Sequence, residues 1–232
     1  KPTNGRYVGG SGNQKPIVFT QQEFARSCPK GVVFLTFEGI EGSGKSTQLE
    51  LWAAYLRGLG RSVVVTKEPG GTPLGTQIRG LILDEAMIHD HRTELLLFFA
   101  DRLEHIHQVI QPALSRGDVV LCDRYMDSTW AYQVGGRGCS ADLLNTLGAH
   151  VSLVPDHTFL YDLPVSVGLA RASARAALDR IESQSVAFHE RVRTAYLALA
   201  QQHSRIHCLS VENQTPDAIF QTTRECVTLV DV

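Results

Sequence analysis

No two of the five cysteines (Cys28, Cys122, Cys139, Cys208 and Cys226) stand at CxxC spacing, and their number is odd. A zinc ribbon and a disulfide framework are thereby disfavoured, so a reducing cytoplasm is the expected compartment. Basic charge is not in surplus either. Lys and Arg number 22 against 24 Asp and Glu, a net charge of −2, which argues against a dedicated nucleic-acid binder with its basic face. No apolar run reaches membrane-spanning length, and the first residues lack the pattern of a secretory leader, so neither a membrane partner nor a cleaved signal is expected. The histidines, among them His89, His91, His105 and His107, show no metal-ligand spacing and read as surface or satisfied core. There is no internal repeat and no low-complexity tract.

What remains is an ordinary α/β composition. Residues 1–30 stand apart, turn-rich and weakly apolar through Asn4-Gly5, Gly9-Gly10-Ser11-Gly12 and Lys15-Pro16. Since the first residue is not Met, this stretch is either a flexible extension or a cloning remnant. A short helix is expected over 21–25 and is assigned no function. Beyond it, strands are expected at 32–37, 62–66, 119–122, 157–162 and 206–210, as unbroken apolar runs covered on both faces. Helices are expected at 44–59, 74–83, 92–115, 128–132, 141–149, 165–176, 181–202 and 216–229. Crossovers of this length imply parallel pairing. The chain from 31 to 232 therefore reads as one doubly wound domain with a five-stranded parallel sheet, its ligands at the carboxyl ends of the strands.

The densest signal runs from Val33 to Thr47. A β-branched and aromatic strand ends in Gly39-Ile40-Glu41-Gly42-Ser43-Gly44-Lys45-Ser46, and apolar residues at helical spacing follow (Leu49, Trp52, Ala53, Leu56). Glycines let successive backbone N–H groups turn inward around phosphate oxygens. Lys45 adds a point charge, Ser46 can hold Mg²⁺, and the helix N-terminus contributes its positive dipole end. This predicts binding of a nucleoside triphosphate.

Other segments add to it. Asp118-Val-Val-Leu-Cys-Asp123-Arg124-Tyr125 is a second buried strand ending in a carboxylate, placed to steer Mg²⁺ or to serve structure alone. Lys67-Glu68-Pro69-Gly70-Gly71-Thr72-Pro73 is a stiff loop at another strand end, with Gly-Gly supplying positive φ. Phe98 and Arg102 share a helical face and together can stack on a flat base and donate to it. From spacing alone, the simpler reading is that Phe98 and Phe99 are both core and Arg102 reaches solvent. Thr129, Tyr132 and Gln133 follow Arg124 and suit a polar ligand, while Trp130 reads as packing. Arg171, Arg175 and Arg180 form the densest basic stretch. It is either a mobile segment closing over phosphates or a solvated face with weak ion pairs.

Taken in order, these elements resemble the thymidylate kinase family of nucleoside monophosphate kinases. The resemblance covers about 33–200 and rests on Phe37-Glu-Gly-Ile-Glu-Gly-Ser-Gly-Lys-Ser-Thr, Lys67-Glu-Pro-Gly-Gly-Thr, Leu-Leu-Phe98-x-Ala-x-Arg102, Asp123-Arg124-Tyr125, Gln133-x-Gly-Gly-Arg-Gly138, Asp179-Arg-Ile-Glu182 and Arg191-Val-Arg193-x-x-Tyr196. It implies a P-loop nucleoside monophosphate kinase-like fold with an arginine-bearing lid at about 171–182. The implied activity is transfer of the ATP γ-phosphoryl group to dTMP, on the way to dTTP. Residues 39–46 would hold ATP. Glu41 would receive the sugar 3′-hydroxyl, Arg124 would grip the dTMP phosphate, and Glu68, Pro69 and Gly70 would shape its pocket. Phe98 would stack on thymine with Arg102 donating to O4, Tyr132 would crowd the 2′ position, and Thr129 and Gln133 would reach the base edge. Arg79 would face the acceptor. Ser46 and Asp123 would hold Mg²⁺.

No basic residue lies at Glu41-Gly42-Ser43, which resembles the bacterial subtype whose catalytic arginine comes from the lid. Arg171 and Arg175 are thus expected to join Lys45 and Arg124 in catalysis. The resemblance also implies a homodimer. Departures are Lys67 where many relatives carry Arg, Ala176 for a common lid Gly, and an early Pro164. Two rivals stand beside this reading: a kinase for another nucleotide or nucleoside on the same scaffold, and a non-catalytic ATP-binding module. A GTPase is disfavoured, since no Asn-Lys-x-Asp motif follows a strand.

Overall fold

The computed structural model describes residues 33–84, 86–151, 153–175 and 179–227. The N-terminal stretch with its 21–25 helix, the middle of the expected lid at 176–178, and the end of the 216–229 helix lie outside the described residues. Five strands, β1 (Phe34–Glu38), β2 (Val63–Lys67), β3 (Val119–Asp123), β4 (His157–Asp162) and β5 (Ile206–Ser210), form one parallel sheet in the order β2-β3-β1-β4-β5. The expected parallel architecture is therefore the observed one. The covering of both faces holds for the central strands. On the edge strand β2, Val65 is 43% exposed, because the sheet's rim lacks a neighbour there.

The helices are α1 (Lys45–Gly58), α2 (Pro73–Leu83), α3 (His91–His105), α4 (Gln111–Ser115), α5 (Met126–Thr129), α6 (Ala141–Gly148), α7 (Val165–Arg175), α8 (Val186–Gln202) and α9 (Pro216–Glu225). Three differences from the periodicity matter. The 92–115 helix is interrupted by a π-wound stretch, Ile106–Ile110, and the 128–132 helix becomes π-wound from Trp130 to Gly136. The apolar pattern of a π turn is too close to that of an α turn to be told apart in so few residues. The 181–202 helix begins only at Val186, because the Asp179 carboxylate takes the backbone N–H groups of Ile181 and Glu182 and holds a turn there.

Two apolar layers clamp the sheet. On one face Trp52 of α1 stacks on Phe159 at 5.3 Å, with Phe37, Tyr196 and Phe220 around it. On the other, Phe34 meets the edge of Tyr125, among Leu95, Ile110 and Leu144. Large side chains buried on both faces at ~25 cal/mol per Å² hold the strands in register. That register aligns Phe37 and Lys67 with Asp123, so the carboxyl ends of β1, β2 and β3 meet at one rim.

Candidate active site

After Glu38 the chain turns through Gly39, Gly42 and Gly44, whose φ values are 136°, 72° and 91°. Gly42 admits no side chain, since a Cβ would overlap the Gly168 carbonyl of α7. α1 opens without a side-chain cap and with no acid in its first turn, which leaves its N–H groups and positive end to an anion. Lys45 Nζ donates to the carbonyls of Gly39 and Ile40 at 3.0 and 2.9 Å. Burial, reinforced by neighbouring Arg124, brings its pKa down to about 8. A phosphate arriving beside it would push that value back up. Ser46 lies on the exposed rim, and Asp123 ends β3 with a buried Oδ1 that has no hydrogen-bond partner among the described residues. An unpaired carboxylate oxygen and a hydroxyl on the walls of one cavity suit a hard divalent cation that keeps part of its water.

Arg124 follows with φ at 68°, a left-handed backbone that a non-glycine residue adopts only when its surroundings impose it. Its Nη2 meets Glu41 Oε1 at 2.5 Å, and its Nη1 donates to Gly39 O at 3.1 Å, Ser128 Oγ at 3.2 Å and Tyr196 Oη at 3.4 Å. The guanidinium lies 5.0 Å over the Tyr132 ring, and Tyr132 in turn donates to both oxygens of Glu41. Burial alone would raise the Glu41 pKa, but Arg124 and Lys45 outweigh it and hold the group below the ordinary carboxylate value. Behind Arg124 sits Glu38, fully buried. Its burial and the charge of Asp127 push its carboxyl up to about 7.

On the other side of the cavity Arg102 is 1% exposed. The solvent-facing reading of its spacing is overturned, because Glu68 awaits it at the end of β2. Arg102 Nε and Nη2 reach Glu68 Oε2 at 2.8 and 2.7 Å, and Nη2 also donates to Thr129 at 2.9 Å. His105 Nδ1 takes the second Glu68 oxygen at 2.9 Å, and its Nε2 meets Thr66 Oγ1 at 2.6 Å. Asp101 Oδ1 accepts from Gly70 N at 3.0 Å while Oδ2 has no partner among the described residues. Burial and the charge of Glu68 push Asp101 up to about 6. Of the two adjacent phenylalanines only Phe99 is core; Phe98 is half-buried on the cavity wall.

The lid range is divided. Arg175 ends α7 and lines the cavity beside Glu182, at 3.4 Å. Arg171 is exposed with its Cβ over Gly42 and is not on the wall. Arg180 reaches back to the Ile82 carbonyl at 2.6 Å and to Glu94, a buried carboxylate that also takes Gln133 and Arg137.

One cavity of about 350 Å³ unites most of the expected residues: Glu41, Gly42, Lys45, Ser46, Glu68, Pro69, Arg79, Phe98, Arg102, Asp123, Arg124, Thr129, Tyr132 and Arg175. Gly39, Ile40, Ser43, Gly44 and Gly70 are not on its wall. Gln133 is not either, its amide being turned to Glu94 at 2.7 Å. The sequence reading gives no site role to Glu38, Asp101 or the Glu94–Arg180 contact, nor to Tyr196, which stands in the Arg191-Val-Arg193-x-x-Tyr196 run, while His105 is the satisfied core histidine expected. Only an acid directly before the glycine loop, and the Asp-Arg-Ile-Glu run, hinted at any of them.

The family model described as Thymidylate kinase matches residues 37–221. The chain is 53% identical over 192 residues to the thymidylate kinase of Pseudomonas putida (strain GB-1), covering 81% of this chain and 90% of that one. It is 52% identical over 172 residues to the thymidylate kinase of Bordetella petrii, covering 73% and 82%. The crystal structure of thymidylate kinase from Ehrlichia chaffeensis is similar, with a TM-score of 0.70, 34% identity, and coverage of 85% of this chain and 98% of that one.

Proposed function

The chain belongs to the thymidylate kinase family, ATP-dependent phosphotransferases acting on dTMP, and we propose how its own residues divide that reaction. The enzyme passes the γ-phosphoryl group of ATP to a phosphate oxygen of dTMP, giving ADP and dTDP. The loop from Gly39 to Ser46 cradles the ATP phosphates, with Lys45 as the charge among them. Ser46 and Asp123 would hold Mg²⁺, which when bound neutralises charge on the phosphates. Arg124 grips the acceptor phosphate and Arg79 faces it. The acceptor is already anionic, so positioning and charge neutralisation suffice without a strong base. Arg175 closes from the lid onto the transferring group, and Arg171 follows it as the lid shuts.

Phe98 stacks on thymine, and Arg102, held by Glu68, donates to its O4 beside Thr129. Glu41 takes the 3′-hydroxyl, while Tyr132 fills the space a 2′-hydroxyl would need. Pro69 and Gly70 shape the monophosphate pocket. Gln133 keeps its place in the scheme as a brace of that wall through Glu94.

The observation that carries this reading is Arg124, left-handed at the rim between Lys45 and Asp123 on one side and Phe98 and Arg102 on the other. The test is ADP release across a panel of monophosphates with ATP and Mg²⁺. Strong release with dTMP and weak release with dUMP and dCMP is expected; release that ignores dTMP would sink the assignment.

Residues 31–232 are read as one kinase domain, working as a homodimer. Leu74 and Leu81 of α2 and Leu96 and Leu103 of α3 are all exposed, an apolar face suited to a second copy. A cytoplasmic home accords with the described cysteines, all free. Among the described residues no helix is long and apolar enough to cross a membrane.

A further inference from the structure

Among the described residues Glu38 touches neither the cavity wall nor a cationic side chain, and its four hydrogen bonds all belong to the apparatus around Arg124. Its Oε1 accepts from the backbone N–H of Tyr125 at 2.7 Å and of Ser128 at 3.3 Å. Its Oε2 accepts from Tyr196 Oη at 2.8 Å and from Ser128 Oγ. The two N–H groups flank the residues immediately after Arg124, so the carboxylate pins the turn that gives Arg124 its positive φ. The two hydroxyls are the same ones on which Arg124 Nη1 rests.

Hydroxyl polarity follows from this arrangement. Both hydroxyls donate to Glu38 Oε2, and a guanidinium can only donate. A hydroxyl placed between them must therefore give its hydrogen to Glu38 and offer its lone pairs to Arg124. We infer that Glu38 is a positioning residue for the acceptor phosphate: it orients the Ser128 and Tyr196 hydroxyls so that they hold Arg124 in place without laying a second carboxylate on it beside Glu41. A direct Glu38–Arg124 pair would have added a second carboxylate to the one Glu41 already supplies. The two-hydroxyl spacer keeps the negative group at one remove.

This inference rests on the role proposed above for Arg124, and the experiment separates the two. Steady-state kinetics are measured on the full chain for Arg124→Ala, Glu38→Gln and the double variant, varying dTMP and ATP independently. Glu38→Gln puts an amide donor where only acceptors fit. It should raise the KM for dTMP about 10-fold or more, the usual worth of a charge-assisted hydrogen bond, and leave the KM for ATP within about 2-fold. On the Arg124→Ala background the same change should add less than about 2-fold, because a residue acting through another loses its effect when that other is gone. If Glu38→Gln lowers turnover without changing the KM for dTMP, or multiplies with Arg124→Ala, Glu38 is a structural acid and the inference is overturned. If Arg124→Ala itself leaves the KM for dTMP unchanged, the Arg124 assignment fails and takes this one with it. Should Glu38→Gln not fold, Tyr196→Phe and Ser128→Ala each remove one spacer hydroxyl and are read by the same cycle, with a rise in the KM for dTMP of about 3-fold or more expected from each, since each hydroxyl bonds to the Arg124 guanidinium.

Discussion

The cavity is bordered by two glutamate–arginine pairs of the same chemistry and opposite character. Glu68 and Arg102 are 2% and 1% exposed at the side chain, and a histidine completes the pairing. Glu41 and Arg124 are 10% and 19% exposed, and Arg124's further partners are neutral oxygens. In the first pair Nε and Nη2 are held by Glu68 and Thr129, so the guanidinium has little to offer an incoming anion, and Nη1, with Met126 Sδ at 3.6 Å, is what remains for a neutral carbonyl. The second keeps donors that a ligand can take over by exchange. An arginine's availability is therefore set by how its partners are arranged, and the same residue type serves as wall on one side and as grip on the other.

The comparison breaks most readily at the pairs themselves. Glu68→Ala strands a buried arginine and should cost about 3–5 kcal/mol of stability, read as a fall in melting temperature on the order of 10 °C for a chain of this size. Arg124→Ala should do the reverse, losing ~10³-fold in kcat/KM with a smaller fall in melting temperature, since Glu41 keeps Lys45 and Tyr132. If both variants lose stability alike, the contrast is false. Next comes Gly71→Ala. A Cβ there would collide with His105 Nε2, so overpacking should destabilise by about 1–3 kcal/mol in urea unfolding, while Gly80→Ala, whose Cβ meets nothing, should not.

Asp101 sharpens the contrast through pH. Its pKa in the fold is raised from 3.8 to about 6, so the folded state favours its neutral form. Its contribution to stability is complete below the unfolded value and is lost as pH rises through about 6. Urea midpoints for the parent should therefore carry a falling component between those values, on the order of 1–3 kcal/mol, and Asp101→Asn should lack it. Equal slopes would remove Asp101 from the wall's electrostatics. The smallest effect is expected from Phe98→Ala. It should weaken dTMP binding about 10-fold, within the range of one stacked base, and leave ATP binding unchanged; titration calorimetry with each nucleotide separates the two.

The phosphate side was legible from sequence because it is contiguous: strand, glycine loop and helix lie within fifteen or so residues, and Asp123-Arg124 ends a neighbouring strand. The base side was harder. Phe98 and Phe99 look equivalent in a helical pattern, and only the packing of α3 against the 68–71 loop turns one inward and the other to the cavity. Arg102 could not be told from a surface arginine until Glu68, distant in sequence, was brought to it. Arg171 and Arg175 share a face on paper, but one lies over Gly42 within α7 and the other sits where the helix stops. Glu38 and Tyr196, separated by 158 positions, leave no joint mark on the chain at all. Their connection exists only in three dimensions.

The wide winding of Trp130–Gly136 makes this part of the polypeptide sensitive to length as well as to composition. A π turn accommodates an extra residue relative to an α turn, and α8 lies so close that a Cβ on Gly135 or Gly136 would strike Ala195 or Phe188. Removing one residue would let the coil tighten and swing whatever follows by about 100° around its axis, carrying Tyr132 or its neighbours out of alignment with Glu41. A single-codon deletion is the lesion this segment is least able to absorb.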